Sequence, residues 1–169
     1  MSNQIKKLKD LPSTHLLGTA TPMCAGCGGL QALHQVYDIL GKNTVFVNAA
    51  GCMTLLSVYP FTPFRGSWIY TAMASAPAGA QGIRDALEIL LEEGSITEDE
   101  DLQFVLLTGD GPAYGMGMSA TSGAMHRALA FIHHGSAHEC HANTGPPYPD
   151  ATPAARPPAT PNSSLGRVD

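Results

Sequence analysis

The sequence predicts an α/β fold, a mainly parallel sheet flanked by helices. Three observations carry that expectation. Stretches with helical spacing alternate with short strand-like runs along the first 128 residues. Residues 102–107 (LQFVLL) are apolar nearly throughout, as suits a parallel strand covered on both faces. A chain of 169 residues that is 44% apolar can bury one real core.

The elements follow in order. Residues 1–21 read as a polar arm, with Pro12 and Pro22 as breakers. Over 29–40, Leu30, Leu33, Val36, Tyr37 and Leu40 recur at helical spacing, and Gly41 is a natural stop. Residues 44–48 (TVFVN) are β-branched and aromatic, a short buried strand. Residues 49–58 form a small-residue turn entering a helix, ended by Pro60 and Pro63. Residues 67–71 (SWIYT) predict a second strand. Over 78–91, Ile83, Ala86, Leu87, Leu90 and Leu91 share one helix face, opposite Arg84, Asp85, Glu88 and Glu92, and Gly94 caps the helix. The third strand, 102–107, follows an acidic turn at 98–101. Residues 115–128 predict a helix of small residues, loosened by Gly117 and Gly123, in which Met116, Met118 and Met125 serve packing. An α/β domain is therefore expected over 22–145. Residues 146–169 hold 7 of the 13 prolines and little apolar periodicity, so they read as an irregular tail.

Composition narrows the function. The net charge is −5, from 9 Lys and Arg against 14 Asp and Glu, so no excess of cations exists to displace counterions from nucleic acid. No apolar run is long enough to span a membrane, and no apolar region follows the N-terminal lysines as in a secretory signal. A cytoplasmic location is expected, where four cysteines serve as thiols or metal ligands rather than disulfides. Only 14% of residues are charged, against the roughly 25% of ordinary domains, which hints at surface covered by another subunit.

Three features carry chemistry. Cys24-Ala-Gly-Cys27 lies in a Gly-rich loop, and Cys52 follows the first strand. Their spacing is open to several readings: part of an iron–sulfur site, a zinc site, a redox pair, or small buried residues. Gly109-Asp110-Gly111 ends the best strand. Glycines let the backbone approach a bulky anion, and the carboxylate suits a hard divalent cation such as Mg²⁺; a simple turn is the plain alternative. His126, His133, His134, His138 and His141, with Cys140, crowd into 16 residues. His134 and His138 could chelate a transition metal from a helix, but Gly135 and Pro146 argue against one. His15 and His34 read as surface residues.

These stretches together resemble one family, the thiamine-diphosphate-binding β subunit of 2-oxoacid:ferredoxin oxidoreductases of the pyruvate synthase type. The matching segments are Cys24-Ala-Gly-Cys27-Gly-Gly, Gly51-Cys52, Tyr59-Pro-Phe61, Trp68-Ile69, Thr108-Gly-Asp-Gly111, Tyr114-Gly-Met-Gly117 and Ser122-Gly-Ala, with fainter matches at 142–145 and 151–153. The resemblance implies the thiamine-diphosphate-binding fold and oxidative decarboxylation of a 2-oxoacid to an acyl-CoA. It implies thiamine diphosphate, Mg²⁺ and a 4Fe-4S cluster as cofactors. The partners it implies are an α subunit (with γ or δ subunits in some complexes), ferredoxin and coenzyme A. The hard chemistry belongs to the cofactors, and the protein supplies position and electrostatics. By position, Cys24, Cys27 and Cys52 match cluster ligands, Asp110 matches the Mg²⁺ ligand, Gly109 and Gly111 line the diphosphate, and Asn143 matches an active-site amide. Cys52 also lies beside the cofactor in that arrangement.

The sequence departs from the pattern after about residue 131. The family's β subunit is longer, and its fourth cluster cysteine lies beyond this chain. His138 falls where the second Mg²⁺ ligand is usually Asn, and imidazole is a poor ligand for that ion. The Cys140 main-chain carbonyl could still coordinate. Residues 131–135 (FIHHG) would make a poor buried strand. The expectation is a domain incomplete at its C-terminus. The alternative to an active subunit is an inactive truncated fragment, or a zinc- or other metal-binding module without turnover.

Overall fold

A computed structural model describes residues 7, 10, 13–19, 21–58, 60–97, 102–128 and 130–137. His138, Cys140 and Asn143, the histidine at 141 and the Pro-rich segment lie outside the described residues. The rest forms a four-stranded, all-parallel sheet with helices on both faces, as the alternation predicts. The strands are β1 (Thr44–Ala49), β2 (Ser67–Thr71), β3 (Gln103–Gly109) and β4 (Ile132–Ser136). Their order is β2-β1-β3-β4, so β1 and β3 are interior.

Helix α1 (Gly28–Leu40) lies on one face. Its Leu33 and Tyr37 are fully buried against Phe46, Val105 and Leu107. The rings of Tyr37 and Phe46 meet edge to face at 4.8 Å, and such pairs add about 0.5–1.5 kcal/mol beyond their buried area. Gly41 ends α1 with φ +88, a value that favours glycine, and its N–H donates to the Tyr37 carbonyl. The loop from a 3-10 turn at Cys52–Leu56 to Phe64 completes this layer. Leu17 joins the same core at 2% exposure, and Gly18 donates to the Pro63 carbonyl, so part of the N-terminal stretch packs on the domain.

Helix α2 (Ala76–Glu92) and helix α3 (Met118–His126) cover the opposite face, where Val47, Ala49 and Leu106 meet Ala76 and Ala80. Pro77 sits in the first turn of α2, where its missing N–H costs nothing. The helix ends as expected at Gly94 (φ +69): Gly94 donates to the Leu91 carbonyl and Ser95 to the Leu90 carbonyl, which satisfies the last acceptors.

Four expectations change. The predicted inner face of α2 holds only in its first half. Leu87 and Leu91 are half-buried, while Ala86 and Leu90 are exposed, because the helix outruns the short sheet beneath it. The helix expected over 115–128 begins at Met118 and ends at His126, because Asp110 caps a π-helical turn at Gly111–Gly115 that takes up its first residues. Met116, Met118 and Met125 are 53–64% exposed rather than packed, since the small residues Thr121 and Ala124 take the inner side of α3. The FIHHG run does contribute a strand. β4 pairs in parallel with β3 from Ile132 to Ser136. A ladder needs only backbone groups, and the side chains at this edge are half-buried or exposed, so the histidines are tolerated.

Candidate functional site at the carboxyl end of the sheet

In an open parallel sheet, ligands gather at the carboxyl ends of the strands. Here that edge receives the Cys52 turn after β1, the Gly109–Asp110 turn after β3 and Ser136 of β4. Helix α1 runs antiparallel to the strands, which brings its N-terminus and the Cys24–Cys27 loop to the same edge. A Cβ placed on Gly29 would stand 2.7 Å from Ser136 Oγ and 3.1 Å from Met53 Cε, so glycine is what lets these three elements close on one another.

Asp110 is 4% exposed, and its Oδ1 accepts the Gly111 N–H at 2.9 Å. Gly111, Pro112 and Ala113 after it are buried. Thr121 Oγ1 of α3 donates to the Ala113 carbonyl at 2.9 Å. Gly117 crosses close over the Pro112 carbonyl, where any Cβ would collide. The acid is thus fixed at the tip of a buried interior strand by a turn that is itself clamped to α3. A carboxylate in that place has the right chemistry for a hard cation such as Mg²⁺ and for a diphosphate neutralised by it.

The cysteines fit their expected group less well. Cys24 and Cys52 are exposed and Cys27 is half-buried. Cys27 stands at the N-cap of α1 without capping it. Among the described residues, no three His, Cys, Asp or Glu side chains come together as a metal-binding group. The three cysteines therefore share an edge of the sheet without forming one ligand set. The helical premise of the histidine chelate does not hold at His134. His134 lies in an extended strand rather than in the helix that the chelate presumed, and His138 lies outside the described residues.

Sequence reasoning took His133 and His134 only as part of a histidine cluster and did not single out Asn48 or Ser136. Asn48 is fully buried, and neither its Nδ2 nor its Oδ1 has a partner among the described residues; the same holds for Trp68 Nε1, His134 Nε2 and Ser136 Oγ. Asn48 and Trp68 share the α1 face with Phe46, and the register carries His134 and Ser136 to the same face beside Leu107 and Gly109. On the other face, His133 Nε2 and Thr108 Oγ1 are 2.7 Å apart. Burial and the neighbouring His134 charge lower the His133 pKa. Burial also lowers that of His134, against the Gly29 backbone, which raises it. A cavity of about 300 Å³ opens beside His133, walled by Pro77, Leu106, Ala124, Met125 and Phe131. Asp110 does not line it.

No protein-family model matches the chain. Curated relatives do. "Pyruvate synthase subunit PorB" of Methanocaldococcus jannaschii is 34% identical over 131 residues, 77% of this chain and 44% of the relative. The subunit of the same name from Methanothermobacter thermautotrophicus is 35% identical over 136 residues, 80% of this chain and 45% of that one. "Ketoisovalerate oxidoreductase subunit VorB" of Pyrococcus horikoshii is 28% identical over 152 residues, 89% of this chain and 48% of the relative. The chain spans about half the length of the curated relatives it matches. Over most of its own length, then, this chain is similar to the PorB subunits of pyruvate synthases and, at lower identity, to the VorB subunit of a ketoisovalerate oxidoreductase.

Proposed function

We propose that the chain is a β-subunit-like component of a 2-oxoacid:ferredoxin oxidoreductase, acting only within a complex that includes an α-type subunit. In this reading it holds thiamine diphosphate through Mg²⁺ at Gly109, Asp110 and Gly111. The observation that carries it is the buried Asp110 between two glycines at the tip of β3. The relatives' names, which specify pyruvate synthase and ketoisovalerate oxidoreductase subunits, support the reaction class and leave the choice of 2-oxoacid open. When bound, the coenzyme supplies the carbanion chemistry, as cofactors do. The chain's own part is to fix the acid, exclude water from its turn through Gly111–Ala113, and present glycine backbone to the diphosphate. Asn143 and the Cys140 carbonyl would complete the substrate and metal contacts, with His138 the weak point at the second Mg²⁺ position. Cys24, Cys27 and Cys52 as cluster ligands, and ferredoxin and coenzyme A as partners, come from the family resemblance. The described geometry does not gather the three sulfurs, so it lends the cluster no support, and a zinc module built on them gains none either.

Thermal unfolding with thiamine diphosphate and Mg²⁺ tests the reading. A ligand bound only by the folded state stabilises it by about 2.7 kcal/mol at a hundredfold excess over Kd. The wild-type chain is expected to shift upward, and Asp110→Asn to show little shift. The amide can still accept from the Gly111 N–H, so this variant removes the charge and keeps the turn. An equal shift in Asp110→Asn would remove Asp110 from the metal site.

A further inference from the structure

We propose that the cavity under α3, on the α2 face of the sheet, is a binding site for a small uncharged phenol, which sets its ring against the apolar walls and its hydroxyl on the imidazole of His133. Asp110 does not line this cavity, so the site stands apart from the function proposed above and does not depend on it.

The walls decide the class of ligand. Leu106 and His133 are register partners on β3 and β4 and form the floor. Ala124 and Met125 of α3, Pro77 of α2 and Phe131 before β4 close the sides. A volume of about 300 Å³ lies at the lower end of small-molecule sites, which suits one ring rather than two. Among the described residues no Lys, Arg, Asp or Glu lines the space, so a charged ligand would be buried without a counterion. Apolar walls offer water few partners, and an apolar ring that displaces it is favoured. Phe131 and the Met125 thioether both favour an aromatic ring over an aliphatic one. The rim is also held in a costly shape. Ala128 there has φ +50, in the left-handed region that glycine usually takes after a helix. Strain of this kind persists only where the surroundings over-determine it, and it clusters at ligand sites.

One polar group is left to orient the ligand. The Thr121 hydroxyl, also on the wall, already donates to the Ala113 carbonyl. His133 Nε2 is 2.7 Å from Thr108 Oγ1, and Thr108 does not line the cavity. The imidazole therefore stands between that hydroxyl and the cavity, and its Nδ1 makes no hydrogen bond among the described residues. Burial, and then His134, lower the His133 pKa, so the ring is uncharged at neutral pH. A neutral imidazole offers a donor or an acceptor at Nδ1, according to the tautomer that the Thr108 contact sets. A hydroxyl both donates and accepts, so it bonds either form, whereas a carbonyl oxygen fits only one.

The test uses the full chain, isotope-labelled on nitrogen and titrated with phenol as the probe, with amide resonances as the readout. Saturable shifts are expected at Leu106, Ala124, Met125 and His133. Benzoate, the charged counterpart, should leave those resonances in place. His133→Leu removes the hydrogen bond and keeps an apolar floor, so it should weaken phenol by about two- to tenfold and leave toluene unweakened. Ala124→Leu fills the space and should abolish the shifts. If either variant does not fold, the wild-type titrations decide by themselves. Shifts centred elsewhere on the chain overturn the proposal, as does a lack of saturable shifts at millimolar phenol. Benzoate binding as tightly as phenol overturns it too. So does phenol affinity that is unchanged in folded His133→Leu, or lost there equally with that of toluene.

Discussion

Asn48 shows how far a single side chain can run against the physics of its surroundings. It occupies the fully buried end of an interior strand, and both polar atoms of its amide lack partners among the described residues. Thr44, two pleats earlier on the same strand, is equally buried but donates to the Gly41 carbonyl at 2.7 Å. An unsatisfied buried polar group costs about 1–3 kcal/mol, and an apolar replacement of similar shape removes that cost. Asn48→Leu is therefore expected to raise the urea midpoint by an amount worth about 1–3 kcal/mol. A lower midpoint would mean that the amide is engaged in solution. His133 makes the complementary case, a polar group with a partner in Thr108. Its pKa lies below the ordinary 6.5, chiefly from burial and then from His134. The unfolded imidazole takes up its proton near that ordinary value, while the folded one resists until lower pH. Stability from this site is thus complete above about pH 6.5 and falls as pH drops toward the folded value. His133→Gln should flatten the pH dependence of the unfolding midpoint on the acid side of 6.5. A slope identical to that of the wild type would show that His133 does not titrate in this way. Asp110, by contrast, was legible in the sequence as a candidate cation ligand, because its glycines and the strand before it announce a strand tip. TVFVN reads as an apolar run with a polar end, and nothing in it tells that the end stays under α1.

At the scale of the element, Gly117 is the tightest joint. Its φ of −97° is open to any residue, so the need for glycine is purely steric. An added Cβ would collide with the Pro112 carbonyl, a backbone atom that cannot swing aside as a side-chain tip can. Gly117→Ala must push α3 away from the π-helical turn that follows Asp110. A loss of at least about 1–3 kcal/mol is expected, the usual cost of forced overpacking. The stabilisation proposed for thiamine diphosphate and Mg²⁺ should weaken along with it, since the same turn holds Asp110. Gly82→Ala is the control, because a Cβ there meets nothing within 4 Å on the exposed side of α2. Unchanged stability in Gly117→Ala would show that the turn yields freely. The sequence marked Gly117 as a loosening of a helix, whereas the structure makes it the point where the helix starts. Glycines at helix ends were easier to read, as at Gly41 and Gly94, because the break in apolar periodicity beside them fixes which role they play. Residues 131–135 were the hardest. Side-chain patterning is the only strand signal available in a sequence, and an edge strand held by backbone bonds to β3 carries little of it.

For the whole molecule, alternation of helix and strand was enough to predict a parallel sheet, but not the order of its strands. That order comes from the crossover through α2, which returns the chain past β1 so that β3 pairs on the far side of it from β2. The consequence is a sheet with two apolar interior strands and two edges of a different kind. β1 and β3 are buried along nearly their whole length, while β2 and β4 are half-buried or exposed. Local opening should follow that division, since segments with few buried contacts open at lower free energy than the global transition. Native-state hydrogen exchange is expected to find the slowest amides in Val47, Phe104, Val105 and Leu106, with those of β2 and β4 exchanging faster. Of the two edges, β4 should be the quicker. β2 carries Trp68, which stacks on Phe64 and packs against the α1 core, whereas β4 brings two imidazoles and a glycine. Adding thiamine diphosphate and Mg²⁺ should then slow exchange most around Gly109–Ala113 and in β4 beside it, because a ligand held at the carboxyl end of β3 must stabilise the strand that borders that end. Protection that rises evenly across all four strands would point to a purely global effect, and protection confined to β2 would place the ligand at the wrong edge of the sheet.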